Sequence, residues 1–339
     1  MINIDSVVTA LRGETVKSER FRPSQIDLTQ PFVETEKSIG DDYDGAIVHD
    51  ELPMGTMHLA PKFPSESDVI AIDSTGLVLG VIPDGLVAAL RASIVTKTTE
   101  NKHMLEHYGP YLMAVTTTNI DALYQALYKA VYGFAPPGSQ SPKLENILGR
   151  VRNILERYLQ MQVAKRSNRT IILLDGSLIG GTVANPSPYV RGIIDKSAEN
   201  QNSLAAISKS TGLILERSRR NILSLLEDVP GPCYIGDIRN RIRQSREKYL
   251  GDIYVAKFTP IGEPFRIDLP ENTPTSHTNL LNTVAGLAGD YGYPEELKLA
   301  HMTCVFSAIE ILELQAAAVA FHNLVMEEEV AVRPKIFPI

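Results

Sequence analysis

The chain has 339 residues, with 33 Lys and Arg against 40 Asp and Glu and a formal net charge of −7. Its 44% hydrophobic and 22% charged content is that of a globular protein and excludes an intrinsically disordered one. The two cysteines, Cys233 and Cys304, belong to no C-x-x-C pair, which argues against a disulfide framework and a structural zinc site. The acidic balance excludes non-specific coating of nucleic acid, which needs a broad basic surface, but allows an enzyme that holds DNA in a narrow cleft. The opening MINIDSVVTALRG lacks a basic leader followed by an apolar core, and no run of about 18 apolar residues occurs. The expectation is a soluble cytoplasmic protein without a membrane partner.

Residues 1–65 are acidic, rich in turn residues and weakly periodic, and read as an extension wrapped on a core. Regular structure is expected from SDVIAID, a β-rich run ending at Asp73. GLVLGVI, after Ser74-Thr75, reads as a second strand joined to the first by a tight turn. Asp121 leads a helical pattern through ALYQALYKAVYGF, closed by Pro136-Pro137-Gly138. From about Lys143 to Val163, Ile147, Val151, Ile154, Leu155 and Tyr158 keep the 3.6-residue spacing of an amphipathic helix. RTIILLD is the clearest buried strand and ends at Asp175. LAAIS reads as a strand, TGLILERSRRNILSLLED as a helix, and DIYVAKF and EPFRIDLP as two strands. The last third is helical, through SHTNLLNTVAGLAGDYG and then from Pro294 to about Leu324. Residues 66–327 thus form the main domain. Residues 328–339 form an apolar tail ending in VRPKIFPI, which asks for burial in its own core, across a dimer interface or on a partner.

No phosphate-cradling G-x-x-x-x-G-K-[ST], zinc-binding H-E-x-x-H, nucleophile-elbow G-x-S-x-G or dinucleotide-binding G-x-G-x-x-G is present. Instead, two apolar strands finish in Asp followed by small residues, at Asp73-Ser-Thr and Asp175-Gly-Ser. A strand delivers its terminal side chain rigidly to a sheet edge, and two such carboxylates suit a hard divalent cation. Asp-Gly and Asp-Ser are also ordinary turn residues after a strand. RNRIRQSREK, from Arg239 to Lys248, is the one strongly basic stretch. By pattern it is a solvated helix face, or a contact for DNA phosphates through Arg239, Arg241, Arg243 and Arg246.

The set AIDSTGLVLG, LLDGSLIGG, ISKST, FRIDLP and GYPEELKLAH, in that order across residues 67–305, resembles the NurA nuclease family. The resemblance implies an α/β, RNase H-like mixed sheet with flanking helices. It implies a homodimeric, manganese-dependent DNA nuclease of 5′–3′ exonuclease and single-strand endonuclease type. It also implies work with HerA, a hexameric DNA-translocating ATPase, in end resection and double-strand break repair. Carried over residue by residue, the family's site falls on Asp73, Asp175, Tyr293 and His301, with Glu156 as the carboxylate on the helix before the DGS strand. Lys209 and Arg266 match its SK and FR positions, as phosphate contacts. Ser74-Thr75 stands where many members have a glycine or serine pair.

Read from pattern alone, these residues have other roles. Glu156 lies opposite the apolar stripe and is a surface acid; Glu145, on the same face, is the other candidate. His301 shares a face with Leu297, Cys304 and Ala308, as a core histidine would. Tyr293 is a turn aromatic before the Pro294 helix start, and Arg266 could equally pair with Asp268 on a strand surface. With the resemblance, Asp73, Asp175, Glu156 and His301 suit two ions about 3.5–4 Å apart at the scissile phosphate. An imidazole ligand favours manganese over magnesium, which prefers all-oxygen shells. The reading from a different class is a catalytically idle adaptor docked on the ATPase ring.

Overall fold

A computed structural model of the chain describes residues 2–12, 19–26, 32–33, 45–49, 55–63, 66–138 and 141–327. The apolar tail lies outside them. In chain order the elements begin with α1 (Asp5–Arg12), β1 (Arg20–Pro23), β2 (Phe32–Val33), β3 (Ala46–Val48) and β4 (Met57–His58). Then come β5 (Val69–Ile82), β6 (Gly85–Lys97), β7 (His103–Thr116), α2 (Ile120–Tyr132), α3 (Leu144–Arg166), β8 (Ile171–Asp175) and α4 (Ser187–Glu199). β9 (Ser203–Ser208), β10 (Leu213–Leu215), β11 (Cys233–Ile235), β12 (Asp252–Lys257) and β13 (Phe265–Leu269) follow. The chain continues through α5 (His277–Gly286), α6 (Glu295–Cys304), β14 (Phe306–Ser307), α7 (Ala308–Phe321) and β15 (Val325–Met326).

The result is the expected α/β architecture, a large mixed sheet flanked by helices. Its strand order is β15-β1-β5-β8-β9-β13-β12-β11-β4, with β6 and β7 branching from β5. β5, β8 and β9 run parallel, and β9, β13, β12 and β11 continue antiparallel. Because side chains alternate across a strand, each face buries its own core. Ile70, Ile72, Ile172 and Leu174 pack with residues of α1 to α4, among them Ile147, Val151 and Ile154. Val69, Ala71, Ile171 and Leu173 pack with Leu280, Leu281 and Val284 of α5 and Leu297 and Ala300 of α6.

β5 is the pivot of this sheet. β6 pairs with it from Val69 to Ile82 on one side. On the other side β8 takes Val69 to Ile72 and β1 takes Gly80 and Val81. From Asp73 to Leu79 no strand among the described residues pairs with that edge, so the sheet forks there. α3 closes on the fork because Gly76 has no side chain: a Cβ there would lie 2.9 Å from the Leu148 side chain.

Several expectations need correction. Ser74-Thr75 is not a turn: β5 is one continuous strand of 14 residues. Ser74 and Thr75 are both buried and stay in register with Ala92 and Arg91 of β6, so ladder and burial hold them extended. Asp73 therefore lies inside a strand, and only Asp175 ends one. Residues 83–118, unassigned from the sequence, supply β6 and β7. The helix expected over TGLILERSRRNILSLLED is instead β10, paired in parallel with β3, a turn with Arg219 at positive φ, and a 3-10 turn at Ile222–Leu225. Leu213 and Leu215 bury as alternate strand residues, which overrides the helical spacing. α2 ends at Tyr132 with left-handed Gly133 as its cap, ahead of the Pro-Pro-Gly. The last helical segment breaks at β14, where a capping box of Ser307 and Glu310 starts α7.

The described parts of residues 1–65 belong to the same body. α1 buries Val7 and Leu11 against α2 and β7, and β1 adds a strand beside β5. Phe21 of β1 is fully buried over Gly80, where a Cβ would meet its ring at 2.5 Å. Phe21→Ala should therefore cost about 3–5 kcal/mol, as aromatic core truncations do. Urea denaturation measures it, and a loss near zero would make β1 dispensable.

Candidate active site

The fork gathers the acids. Asp73 is 4% exposed; its Oδ1 accepts a hydrogen bond from the Ser74 amide at 2.8 Å, and its Oδ2 lies 2.7 Å from His301 Nδ1. Ile72 is paired with Leu174, so Asp175, the next residue of β8, comes level with Asp73 as β8 ends. Gly176 follows at φ +116°, a backbone conformation open to glycine, and this turns the chain sharply away from the carboxylate. Lys209, just past β9, places Nζ 3.2 Å from Asp175 Oδ2 and 4.6 Å from the centre of the Tyr293 ring. Burial, then the nearby Asp175 and Asp73 carboxylates, hold the Tyr293 hydroxyl pKa well above its usual value.

Ser74 points to the opposite face from Asp73, and its hydroxyl donates to Glu156 Oε2 at 2.6 Å. Gln160 Nε2 donates to Glu156 Oε1 at 3.1 Å, and an Arg152 guanidinium nitrogen reaches Oε2 at 3.3 Å and the Ser74 carbonyl at 3.2 Å. Glu156 is 5% exposed, and its pKa is raised by burial first, with Asp73 adding to the shift and Arg152 opposing it. The surface-acid reading of Glu156 is thus corrected: the polar face of α3 borders the fork rather than solvent. Glu145 stays exposed beside Lys143, so it is not the helix carboxylate at this site.

Arg266 is also corrected. It is fully buried, and its guanidinium holds both Asp268 oxygens at 2.7 and 2.8 Å, so it cannot reach a phosphate in the cleft. It supports the loop instead, since Asp268 Oδ2 accepts the Leu178 amide at 2.9 Å. Arg157, also buried, reaches the Ser177 carbonyl at 3.3 Å and Asn185 Oδ1 at 2.6 Å. The DGS turn is thereby held from two sides.

The basic run is neither a helix face nor an open stripe of charge. Arg239–Arg241 and Arg246–Lys248 are separate 3-10 turns. Arg239 pairs with Glu271, Arg241 with Asp237 at 3.7 Å, and Arg243 with Glu216. Arg246 donates to the carbonyls of Asn240 at 2.9 Å and Ile242 at 3.3 Å.

Asp73, Glu156, Asp175, Tyr293, His301 and Lys209 are therefore brought together; Arg266 and the basic run are not. Ser74, Arg152 and Gln160 escaped the sequence reading, although Arg152, Glu156 and Gln160 recur every four residues along one face of α3. Cys304, buried one helical turn after His301, escaped it as a site residue. Its sulfur, a His301 ring nitrogen and an Asp73 carboxylate oxygen lie within 4.8 Å of one another.

The model of the NurA domain matches residues 67–306, more than half of the chain. The chain belongs to the NurA nuclease family. Its fold is similar to that of the NurA nuclease from Sulfolobus solfataricus, at 14% identity over 78% of this chain and 88% of that one, with a TM-score of 0.50. A second NurA structure gives 11% identity over 73% and 86% of the two chains, with a TM-score of 0.43. Endonuclease V from Streptomyces avermitilis gives 9% identity, 77% and 87% coverage, and a TM-score of 0.38. No curated protein sequence matches the chain. At these identities the structural likeness speaks to fold alone. The matched region begins just ahead of β5 and ends just after α6, so it spans every site residue of this NurA chain.

Two outcomes follow from these contacts. Asp268→Ala removes the carboxylate that the buried Arg266 holds by two hydrogen bonds and should cost about 3–5 kcal/mol in urea denaturation; a loss below about 1 kcal/mol would remove the pair as the anchor of the DGS loop. Neutralising Arg241, Arg243 and Arg246 together should leave the salt dependence of DNA binding unchanged, because these groups already have partners within the chain. A slope reduced by about one unit per arginine would instead make them phosphate contacts.

Proposed function

We propose that the chain is a divalent-metal-dependent DNA nuclease. The observation that carries this reading is the meeting of Asp73, Glu156, Asp175 and His301 at one fork of the sheet. Asp73 and Glu156 are both buried, and close enough for the Asp73 charge to raise the Glu156 pKa. Such a cluster of oxygen donors with one imidazole fits a hard cation, manganese better than magnesium. Asp73, Glu156, Asp175 and His301 would hold it, in a pair of ions if the family's chemistry applies. When bound, those ions supply a water activated for attack and charge stabilisation for the leaving oxygen.

The protein's own groups set the geometry. Ser74 and Gln160 fix both Glu156 oxygens, and the Ser74 amide and His301 fix those of Asp73. The Tyr293 hydroxyl, its pKa raised further by burial and the nearby carboxylates, stays protonated and can donate a hydrogen bond to a phosphate oxygen. The Lys209 side chain, 40% exposed, supplies a cation that can exchange Asp175 for a phosphate. Family membership supports the finer reading: 5′–3′ exonuclease and single-strand endonuclease activity by a cytoplasmic homodimer. That reading extends to a HerA-type hexameric ATPase partner, DNA end resection and double-strand break repair. An idle adaptor is the weaker reading, since it has no use for carboxylates that are costly to bury together.

Asp73→Asn and Asp175→Asn should each abolish manganese-dependent DNA cleavage and keep the wild-type circular dichroism spectrum. Manganese should also stabilise the wild type, by about 2.7 kcal/mol at a hundredfold excess over its dissociation constant. Thermal melts with manganese and with EDTA show this as an upward shift that Asp73→Asn lacks. Cleavage unaffected by Asp73→Asn or by EDTA would sink the nuclease assignment at this site and leave the adaptor.

A further inference from the structure

α6 carries two potential ligands, His301 and Cys304, three residues apart and hence on one face. The helix is fixed over β5 and β6 at both ends. Near its start Glu296, 1% exposed, pairs with Lys97 at 3.1 Å. At its end an Arg91 guanidinium nitrogen donates to the Val305 carbonyl at 3.3 Å, another pairs with Glu310 at 2.8 Å, and the group stacks 4.5 Å over Phe306. This fixed helix turns Cys304 toward Asp73. Among the described residues, Asp73, His301 and Cys304 form a group of Asp, Glu, His or Cys ligand atoms all within 4.8 Å of one another.

Magnesium and manganese make no use of a thiol, whereas carboxylate, imidazole and thiolate are the three ligand types of zinc. Tetrahedral zinc, with bonds of about 2.0–2.3 Å, needs ligand atoms about 3.3–3.7 Å apart. Movements of about an ångström reach that geometry from the separations present. We propose that Asp73, His301 and Cys304 form a thiophilic metal site, selective for zinc, that overlaps the catalytic one and excludes the hard ion from it. On binding, the Cys304 S–H bond, now donating to the His301 carbonyl at 3.3 Å, breaks. Its proton passes to the buffer, a sulfur–zinc bond forms, and no electron is transferred. The His301 Nδ1 proton shifts to Nε2, which keeps the imidazole neutral, the Asp73–His301 hydrogen bond gives way to two metal bonds, and the fourth position is left to water. The inference rests on the nuclease reading only for its effect on cleavage; zinc occupancy stands on the donor geometry.

Cobalt(II) reports such a site directly, because a thiolate ligand adds a near-ultraviolet charge-transfer band to the visible bands of tetrahedral cobalt. Full-length, metal-stripped protein titrated with cobalt should show that band, and zinc should bleach it. Cys304→Ser should lose it, while Cys233→Ser, in the separate apolar cluster beneath β11 and β12, should keep it. Manganese released from the wild type by zinc, read by electron paramagnetic resonance, should need at least about tenfold more zinc in Cys304→Ser. A wild type without the band, or a band surviving in Cys304→Ser, overturns the proposal. If Cys304→Ser does not fold, Asp73→Asn and His301→Ala must each lose the band, and its persistence in either is equally fatal. A thiolate band in a protein that never cleaves DNA would defeat the nuclease reading and leave the zinc site standing; cleavage without the band would do the reverse.

Discussion

Like charges held close together and out of water are the constraint on which the rest of this structure depends. Asp73 and Glu156 are both buried, and Asp175 comes level with Asp73 where β8 ends. Moving a carboxylate out of water is costly, and setting one beside another costs more. Glu156 shows the cost in its raised pKa, caused by burial first and by Asp73 in addition. With the folded value raised, the stability associated with neutral Glu156 is present below the normal carboxylate range and lost as the pH rises through the raised value. The fold therefore carries an electrostatically costly centre at the fork. The packing around it, the Arg266–Asp268 pair and the full-length β5–β6 ladder supply the opposing stability.

The pleat of β5 explains how one strand serves two layers. Asp73 and Ser74 are neighbours in sequence and point to opposite faces. Asp73 meets His301 on α6, and Ser74 meets Glu156 on α3. A turn after Asp73 would have separated these contacts. A continuous strand locks them instead, so α3 and α6 are positioned against each other through two adjacent residues of one backbone. The fork makes room for this, since the edge of β5 beyond Ile72 is given up by β8 before β1 takes it, and Arg152 reaches the Ser74 carbonyl in the gap.

Much of this was legible in the sequence, for identifiable reasons. RTIILLD and the long helix before it carry strong single-period patterns, so β8, α3 and the placement of Asp175 followed directly. Ser74-Thr75 misled because small hydroxyl residues suit a turn as well as a buried strand, and only the ladder with β6 decides between them. Glu156 looked solvated because a hydrophobic stripe says which face packs on the core and nothing about what the polar face meets. Arg266 and Asp268 share a strand face by spacing, but spacing cannot tell an exposed pair from one with 0% and 1% exposure. TGLILERSRRNILSLL has helical spacing, yet pairing with β3, distant in sequence, wins Leu213–Leu215 for a strand. Each miss has one source: a contact made by residues far away in the chain.

The charge balance of the fork also bears on how a polyanion could enter it. Among the site's described side chains, Asp73, Glu156 and Asp175 face Arg152 and Lys209, with the buried Arg157 acting on Glu156 from behind Gln160, and Arg152 and Lys209 are already engaged with those acids. A phosphodiester approaching this arrangement meets buried carboxylates whose neighbouring cations are already engaged, in a low-dielectric setting where repulsion is strongest. Divalent ions held there would add positive charge beside the carboxylates and would compete with Arg152 and Lys209 for them. A metal at this site would then act in substrate binding as well as in chemistry. The acidic composition of the chain, which alone argues against DNA, is thus compatible with a nuclease site, because the extra positive charge needed at the fork would arrive with the ions.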